Sequence, residues 1–250
     1  MTRRSLAAYA FPLLAGALAL SACGKSEDGS TSTNAAPVAA KAPPAGTSWS
    51  EQVVETPEGG LRMGNPDAPL KIVEFASYTC SHCADFAVNG EPELVKKYVE
   101  TGKVSYEFRN YIRDPLDLSI ALLARCSGKD AFFPLSNQFF ANQPAMFDAL
   151  QKKGEAAQQA AMTAPPASRF TQLAQLGDLV EFAKQRGVAE DKARTCLADL
   201  KAAEALAAHV EKANAQYSIQ GTPSFLLNGT LLPDTASWDA LDKRLVDAGG

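Results

Sequence analysis

The densest chemistry in the chain sits in four residues, Cys80-Ser81-His82-Cys83. Two residues between cysteines on a first helical turn bring the sulfurs near disulfide distance. A helix starting there would offer unpaired N–H groups and a positive dipole end to Cys80. Both favour its thiolate, which is the nucleophile of thiol–disulfide exchange. His82 adds to this if it is protonated or donating. A lowered thiol pKa also makes Cys80 a better leaving group, so a disulfide containing it is readily donated. A lone Cys-x-x-Cys can be half a zinc site. Here no second Cys-x-x-Cys or His pair at knuckle spacing accompanies it, and no metal is expected.

Exchange at this pair requires a strand before it and a helix behind it. Residues 70–76, Leu-Lys-Ile-Val-Glu-Phe-Ala, form a short apolar, β-branched run bounded by Pro69 and Ser77, the pattern of a buried strand. A helix is predicted from Ser81 to about Glu100, interrupted or kinked near Pro92 and ended by Gly102. Residues 104–112 alternate as a second strand, so the order is βαβ and the strands are parallel. Glu74 lies inside the first strand among Ile72, Val73 and Phe75, where a charge is costly without a task or a partner.

From about 114 to 216 the chain is rich in Ala, Leu, Gln and Lys at helical spacing, and five to seven helices are predicted. Phe132, Phe133, Phe139 and Phe140 read as core. His209, on a helix among Ala and charged residues, reads as solvated surface. β character returns after Gly221. Residues 223–227 form a short strand, Asn228-Gly229 is a strong hairpin turn, and residues 230–232 pair back. A last helix runs from about Ser237, its N-cap, to Asp247. The fold class is α/β with a helical insertion.

The 250 residues are 46% apolar and 21% charged, enough for a sizeable core. The net charge of −4 lacks the concentrated Lys and Arg that nucleic acid or an anionic membrane surface requires. Thr2-Arg3-Arg4, the apolar run from Leu6 to Leu20 and Leu20-Ser21-Ala22-Cys23 follow the order of a secretory signal peptide. Leu-Ser-Ala-Cys resembles the lipobox of bacterial lipoproteins. Residues 1–22 are thus expected to be removed and Cys23 to become the lipidated first residue, anchored by its acyl chains. Residues 24–48, rich in Ser, Thr, Ala, Pro and Gly, read as a disordered tether, with folded sequence from 49 to 250. Of five cysteines, lipidation of Cys23 leaves an even set of four in a disulfide-permissive compartment.

Phe75-Ala-Ser-Tyr-Thr-Cys-Ser-His-Cys-Ala-Asp-Phe86 resembles the active-site segment of the DsbA-like branch of the thioredoxin superfamily. Gly221-Thr-Pro-Ser-Phe225 resembles that family's cis-proline loop. The resemblance covers residues 64 to 250, including the helical insertion and the closing hairpin and helix. It implies a thioredoxin-like fold with Cys80 as exposed nucleophile, Cys83 as buried partner and His82 tuning Cys80. Thr222 and Pro223 would hold an extended substrate chain. Glu74, six residues before Cys80, would be the buried proton acceptor for the second cysteine. Ser81 departs from the Pro of the best-known oxidases, and Thr222 before Pro223 is shared with isomerase-like relatives.

Cys126 and Cys196, both in the insertion, are expected to form a structural disulfide rather than remain free buried thiols. Some proteins of this branch carry such a bridge.

The resemblance implies disulfide donation to exported proteins by a periplasmic, lipid-anchored monomer. A DsbB-like, quinone-linked membrane protein would reoxidise it, and no cofactor is implied. Two alternatives stay open. One is a reductase or isomerase kept reduced by a DsbD-like partner; the other is a non-enzymatic lipoprotein binding a metal or a partner.

Overall fold

The computed structural model describes residues 35–250. The expected signal peptide (1–22), the lipidation site Cys23 and the start of the tether lie outside the described residues.

Six strands form one mixed sheet in the order β1-β2-β4-β3-β5-β6. The central pair, β3 (Leu70–Ala76) and β4 (Val104–Asn110), is parallel, with Ile72 opposite Tyr106 and Glu74 opposite Phe108. Their connection carries α1 (Ser81–Asp85), a wide π turn (Phe86–Gly90), α2 (Glu91–Leu94) and a second π turn (Val95–Val99). The break falls before Pro92 rather than at it. Pro92 stands in the first turn of α2, where its missing N–H and fixed φ are tolerated.

β1 (Val53–Glu55) and β2 (Leu61–Gly64) extend the sheet antiparallel from β4. Neither was anticipated, because three- and four-residue edge strands are too short to show a period. On the other side β5 (Ser224–Leu227) pairs antiparallel with β3, and β6 (Thr230–Leu231) closes a hairpin. Its turn places Asn228 at φ 50° and Gly229 at φ 83°, the left-handed pair a tight hairpin demands.

The insertion contains eight helices: α3 (Pro115–Cys126), α4 (Lys129–Ala141), α5 (Gln143–Lys153), α6 (Glu155–Thr163), α7 (Pro166–Leu176), α8 (Leu179–Lys184), α9 (Glu190–Leu197) and α10 (Leu200–Tyr217). That exceeds the expected five to seven, because Gly154, the extended pair Ala164-Pro165 and the turn at Gly177-Asp178 divide the polar 143–184 stretch into four short helices. A last helix, α11 (Trp238–Asp247), is capped by the Ser237 side chain, which accepts from the Ala240 N–H.

Alternation along β3 splits the core. Leu70, Ile72 and Ala76 join the main cluster, while Val73 and Phe75 face Ala213 and Ile219 on the other side. Glu74 shares the face of Ile72 and Ala76 by the two-residue period of a strand, so its carboxyl points into the main core. Around it Phe132, Phe133, Phe139 and Phe140 are all buried.

Part of the tether is ordered, contrary to expectation. The Ala35 and Val38 N–H groups donate to the Asp247 and Gly249 carbonyls, and the Lys41 N–H donates to the Thr101 carbonyl. Trp49 Nε1 donates to the Lys41 carbonyl at 2.7 Å. The sequence is weakly apolar, but its backbone finds acceptors at exposed helix ends. Among the described residues no helix is long and apolar enough to cross a membrane.

Candidate active site

Cys80 is the N-cap of α1, with an extended backbone at φ −96° and ψ 122°. Its sulfur faces the N–H groups of the first turn. Cys80 is drawn down to about 5: the Cys83 thiol donates to it, the Thr222 side chain and the backbone N–H groups of Cys83 and His82 add to the effect, and burial opposes them. The His82 side chain is exposed. Cys83 is wholly buried. Burial, its hydrogen bond to Cys80 and the charge on Glu74 hold it as a thiol.

Cys80 was expected to be exposed, yet it is only 5% accessible. The Thr222-Pro223 loop covers it, joined by a cis peptide bond. The Cys80 Sγ–H donates to the Thr222 carbonyl at 3.1 Å. Thr222 therefore serves both states of the sulfur, its carbonyl accepting from the thiol and its hydroxyl favouring the thiolate. Access runs through a cavity lined by Thr79, Ser81, His82, Tyr111, Arg113, Gln220 and Gly221 as well as by Cys80 and Thr222.

The loop between β3 and α1 is tied down by residues the sequence did not mark. Asp117, buried in α3, accepts from the Ser77 hydroxyl at 2.6 Å, the Tyr78 N–H at 2.8 Å and the Arg113 N–H at 3.0 Å. Burial nevertheless pushes its carboxyl up to about 7. Asp114, the N-cap of α3, accepts from the Thr79 hydroxyl at 2.7 Å and the Asp117 N–H at 2.9 Å. Gln143 Nε2 donates to the carbonyls of Tyr78 and Cys80 at 2.8 and 3.0 Å. Asp114 before Pro115 carries an N-cap signature that could have been read. Asp117 and Gln143 look like ordinary polar helix residues.

Under the pair, Glu74 is buried and accepts a hydrogen bond from the Tyr106 hydroxyl. Burial pushes Glu74 up to about 8, and the charges of Glu91 and Cys80 push the same way. Away from this site, Cys126 and Cys196 are disulfide-bonded with Cα atoms 6.0 Å apart. Cys80 and Cys83 are free thiols. Among the described residues no group of three or more His, Cys, Asp or Glu could hold a metal ion. The arrangement provides an activated thiolate, a buried protonated partner and a carboxyl poised to exchange a proton.

Comparison with known proteins follows the same line. The Thioredoxin family model matches residues 56–247. A Rickettsia bellii protein named "Putative protein-disulfide oxidoreductase" is 31% identical over 172 residues, 69% of this chain and 58% of that protein. This chain spans only 54% of a second relative, from Rickettsia felis. The crystal structure of a protein-disulfide isomerase from Novosphingobium aromaticivorans is 35% identical with a TM-score of 0.71, covering 74% of this chain and 94% of that one. Wolbachia pipientis alpha-DsbA1 shares the fold at 23% identity and a TM-score of 0.61, over 80% of this chain and 94% of its own.

Proposed function

The chain belongs to the thioredoxin family, in its DsbA-like form, and from that membership we propose that it donates disulfides to exported proteins through Cys80 and Cys83. The observation that carries the reading is the asymmetry of the pair. Cys80 is drawn down to about 5 while Cys83 is held as a thiol. A substrate thiolate attacks Cys80 Sγ in the oxidised enzyme, the Cys80–Cys83 bond breaks, and Cys83 leaves as a thiolate that takes up a proton. A second substrate thiolate then attacks the substrate sulfur of the mixed disulfide and expels Cys80 as its stabilised thiolate. The substrate gains a disulfide and the enzyme keeps two electrons.

In this reading Thr222 and Pro223 guide an extended substrate past Cys80, and Glu74 exchanges the proton of Cys83. Reoxidation falls to a DsbB-like, quinone-linked membrane protein. The substrates are exported chains, met outside the cytoplasm. Cys23 carries the lipid that holds the enzyme at the membrane, which metabolic labelling with a radioactive fatty acid tests: label lost on Cys23→Ser supports the anchor, and label retained removes it.

One observation favours a second reading. The Novosphingobium structure is described as a protein-disulfide isomerase, and an isomerase or reductase would need the pair kept reduced by a DsbD-like protein. Refolding of a reduced, two-disulfide test protein separates the two. Oxidised enzyme that forms disulfides stoichiometrically supports donation. Enzyme that only reshuffles existing bridges supports isomerisation.

A further inference from the structure

A second carboxyl lies behind the first. Glu91, in the first turn of α2, is as buried as Glu74. One phenol stands between them. The Tyr106 hydroxyl is bonded to Glu74 Oε2 and lies 3.5 Å from Glu91 Oε2. On its far side Glu91 Oε1 accepts from Asn137 Nδ2 at 2.7 Å, and Asn137 is only half-buried. The chain therefore leads from beneath the cysteines toward the protein surface.

Two further facts bear on what it does. Two carboxyls this close in the interior cannot both be ionised cheaply, so at least one of them holds a proton. Both are also raised in the same direction, mainly by burial, so either carboxyl can hold the proton. Asn137 Oδ1 is buried without a hydrogen-bond partner. An amide with a spare acceptor suits both states of Glu91. Its NH₂ serves the carboxylate, and after a flip its oxygen accepts from the acid.

We propose that Tyr106, Glu91 and Asn137 form a proton relay that recharges Glu74 during thiol–disulfide exchange. The relay rests on the exchange reaction proposed above. When the active-site disulfide opens, the Glu74 acid gives its proton to the Cys83 thiolate. The Tyr106 hydroxyl passes its proton to the Glu74 carboxylate and takes one from the Glu91 acid. Tyr106 ends unchanged, Glu74 is an acid again, and Glu91 is a carboxylate. With Cys80 and Cys83 as free thiols the structure shows Asn137 donating to Glu91, the arrangement this step leaves behind. Reoxidation runs the transfers backward. Tyr106, Glu91 and Asn137 are positioning residues, since none touches the reacting sulfurs.

The test is a reduced-minus-oxidised infrared difference spectrum of the full chain, read in the carboxylic-acid C=O region, alongside the pH dependence of single-turnover exchange. The wild type should lose the Glu91 acid band on reduction, and in Glu91→Gln that band should be absent and the loss should fall on Glu74 instead. Tyr106→Phe should move the lost band to Glu74 and slow exchange at neutral pH by about tenfold or more. The pH profile of Cys80 alkylation should not move in either variant. Asn137→Leu, at the half-buried end, should shift the Glu91 band even if the core variants fold poorly. An unchanged difference band in Glu91→Gln or Asn137→Leu overturns the relay, as does an unchanged pH–rate profile in Tyr106→Phe. A wild type that performs no exchange overturns instead the function on which the relay rests.

Discussion

The thiol of Cys80 donates to the carbonyl of Thr222, 142 positions further along the chain, at 3.1 Å. That contact joins the two segments on which exchange depends, the first turn of α1 and the loop before β5. It also closes the surface over Cys80, leaving a groove beside Tyr111, Arg113 and Gln220.

The roles of the two cysteines differ, so their serine variants should differ. Cys80→Ser should abolish exchange. In Cys83→Ser the Cys80 thiolate should still attack a substrate disulfide, expel one of its sulfurs as a thiolate and accumulate the mixed disulfide. Non-reducing electrophoresis with a disulfide-linked peptide checks both outcomes, and equal behaviour of the two variants would remove the assignment.

The Cys80 titration has a definite sign. Its folded pKa of about 5 lies below the ordinary thiol value of 9.0. The stabilisation this thiolate gives the reduced protein is therefore fully present above pH 9, shrinks as the pH falls, and is gone below about 5. Denaturant melts of reduced and oxidised protein should show the reduced form gaining on the oxidised form from pH 5 to 9. Thiolate absorbance at 240 nm should rise with a midpoint near pH 5 and lose that step in Cys80→Ser.

The residues that shape this site were unequally visible in the sequence. The order strand, Cys-Ser-His-Cys, helix is local, and the apolar run through Glu74 made both the strand and the oddity of its carboxylate legible. Thr222-Pro223 was readable only as a motif, because its meaning depends on a contact with Cys80 far away in the chain. Asp117 and Gln143 were invisible for the same reason. Each has the composition of a solvent-facing helix position and is buried only because α3 and α5 pack over the loop before Cys80. Tyr106 and Glu91 follow this pattern too. Tyr106 falls in a strand with correct alternation, but its partner on α2 is fixed by how the helix crosses the sheet. The edge strands β1 and β2 were missed because so few residues carry no period.

Loop anchoring is testable through Gln143. Gln143→Leu leaves the Tyr78 and Cys80 carbonyls without their side-chain donor and should cost about 1–3 kcal/mol in a denaturant melt. It should also slow exchange, since the backbone of Cys80 is no longer held. A variant of wild-type stability and rate would show that these bonds do not position the loop.

The Cys126–Cys196 bridge should matter to stability and not to chemistry. It joins residues 70 apart, from the end of α3 to the end of α9. Replacing both with Ala should cost on the order of 3–4 kcal/mol by releasing the unfolded chain. Exchange by the folded fraction should be retained. Loss of exchange at full folding, measured by circular dichroism and single-turnover assay together, would give the bridge a role in the reaction.

The most direct measurement is the redox equilibrium of Cys80 and Cys83 against glutathione buffers, read by thiol alkylation and mass. A couple far more oxidising than thioredoxin's, whose potential is about −270 mV, is expected from a Cys80 thiolate stabilised at the start of α1 and a buried Cys83 thiol. A couple at or below thioredoxin's value would contradict disulfide donation and assign the chain to reduction or isomerisation.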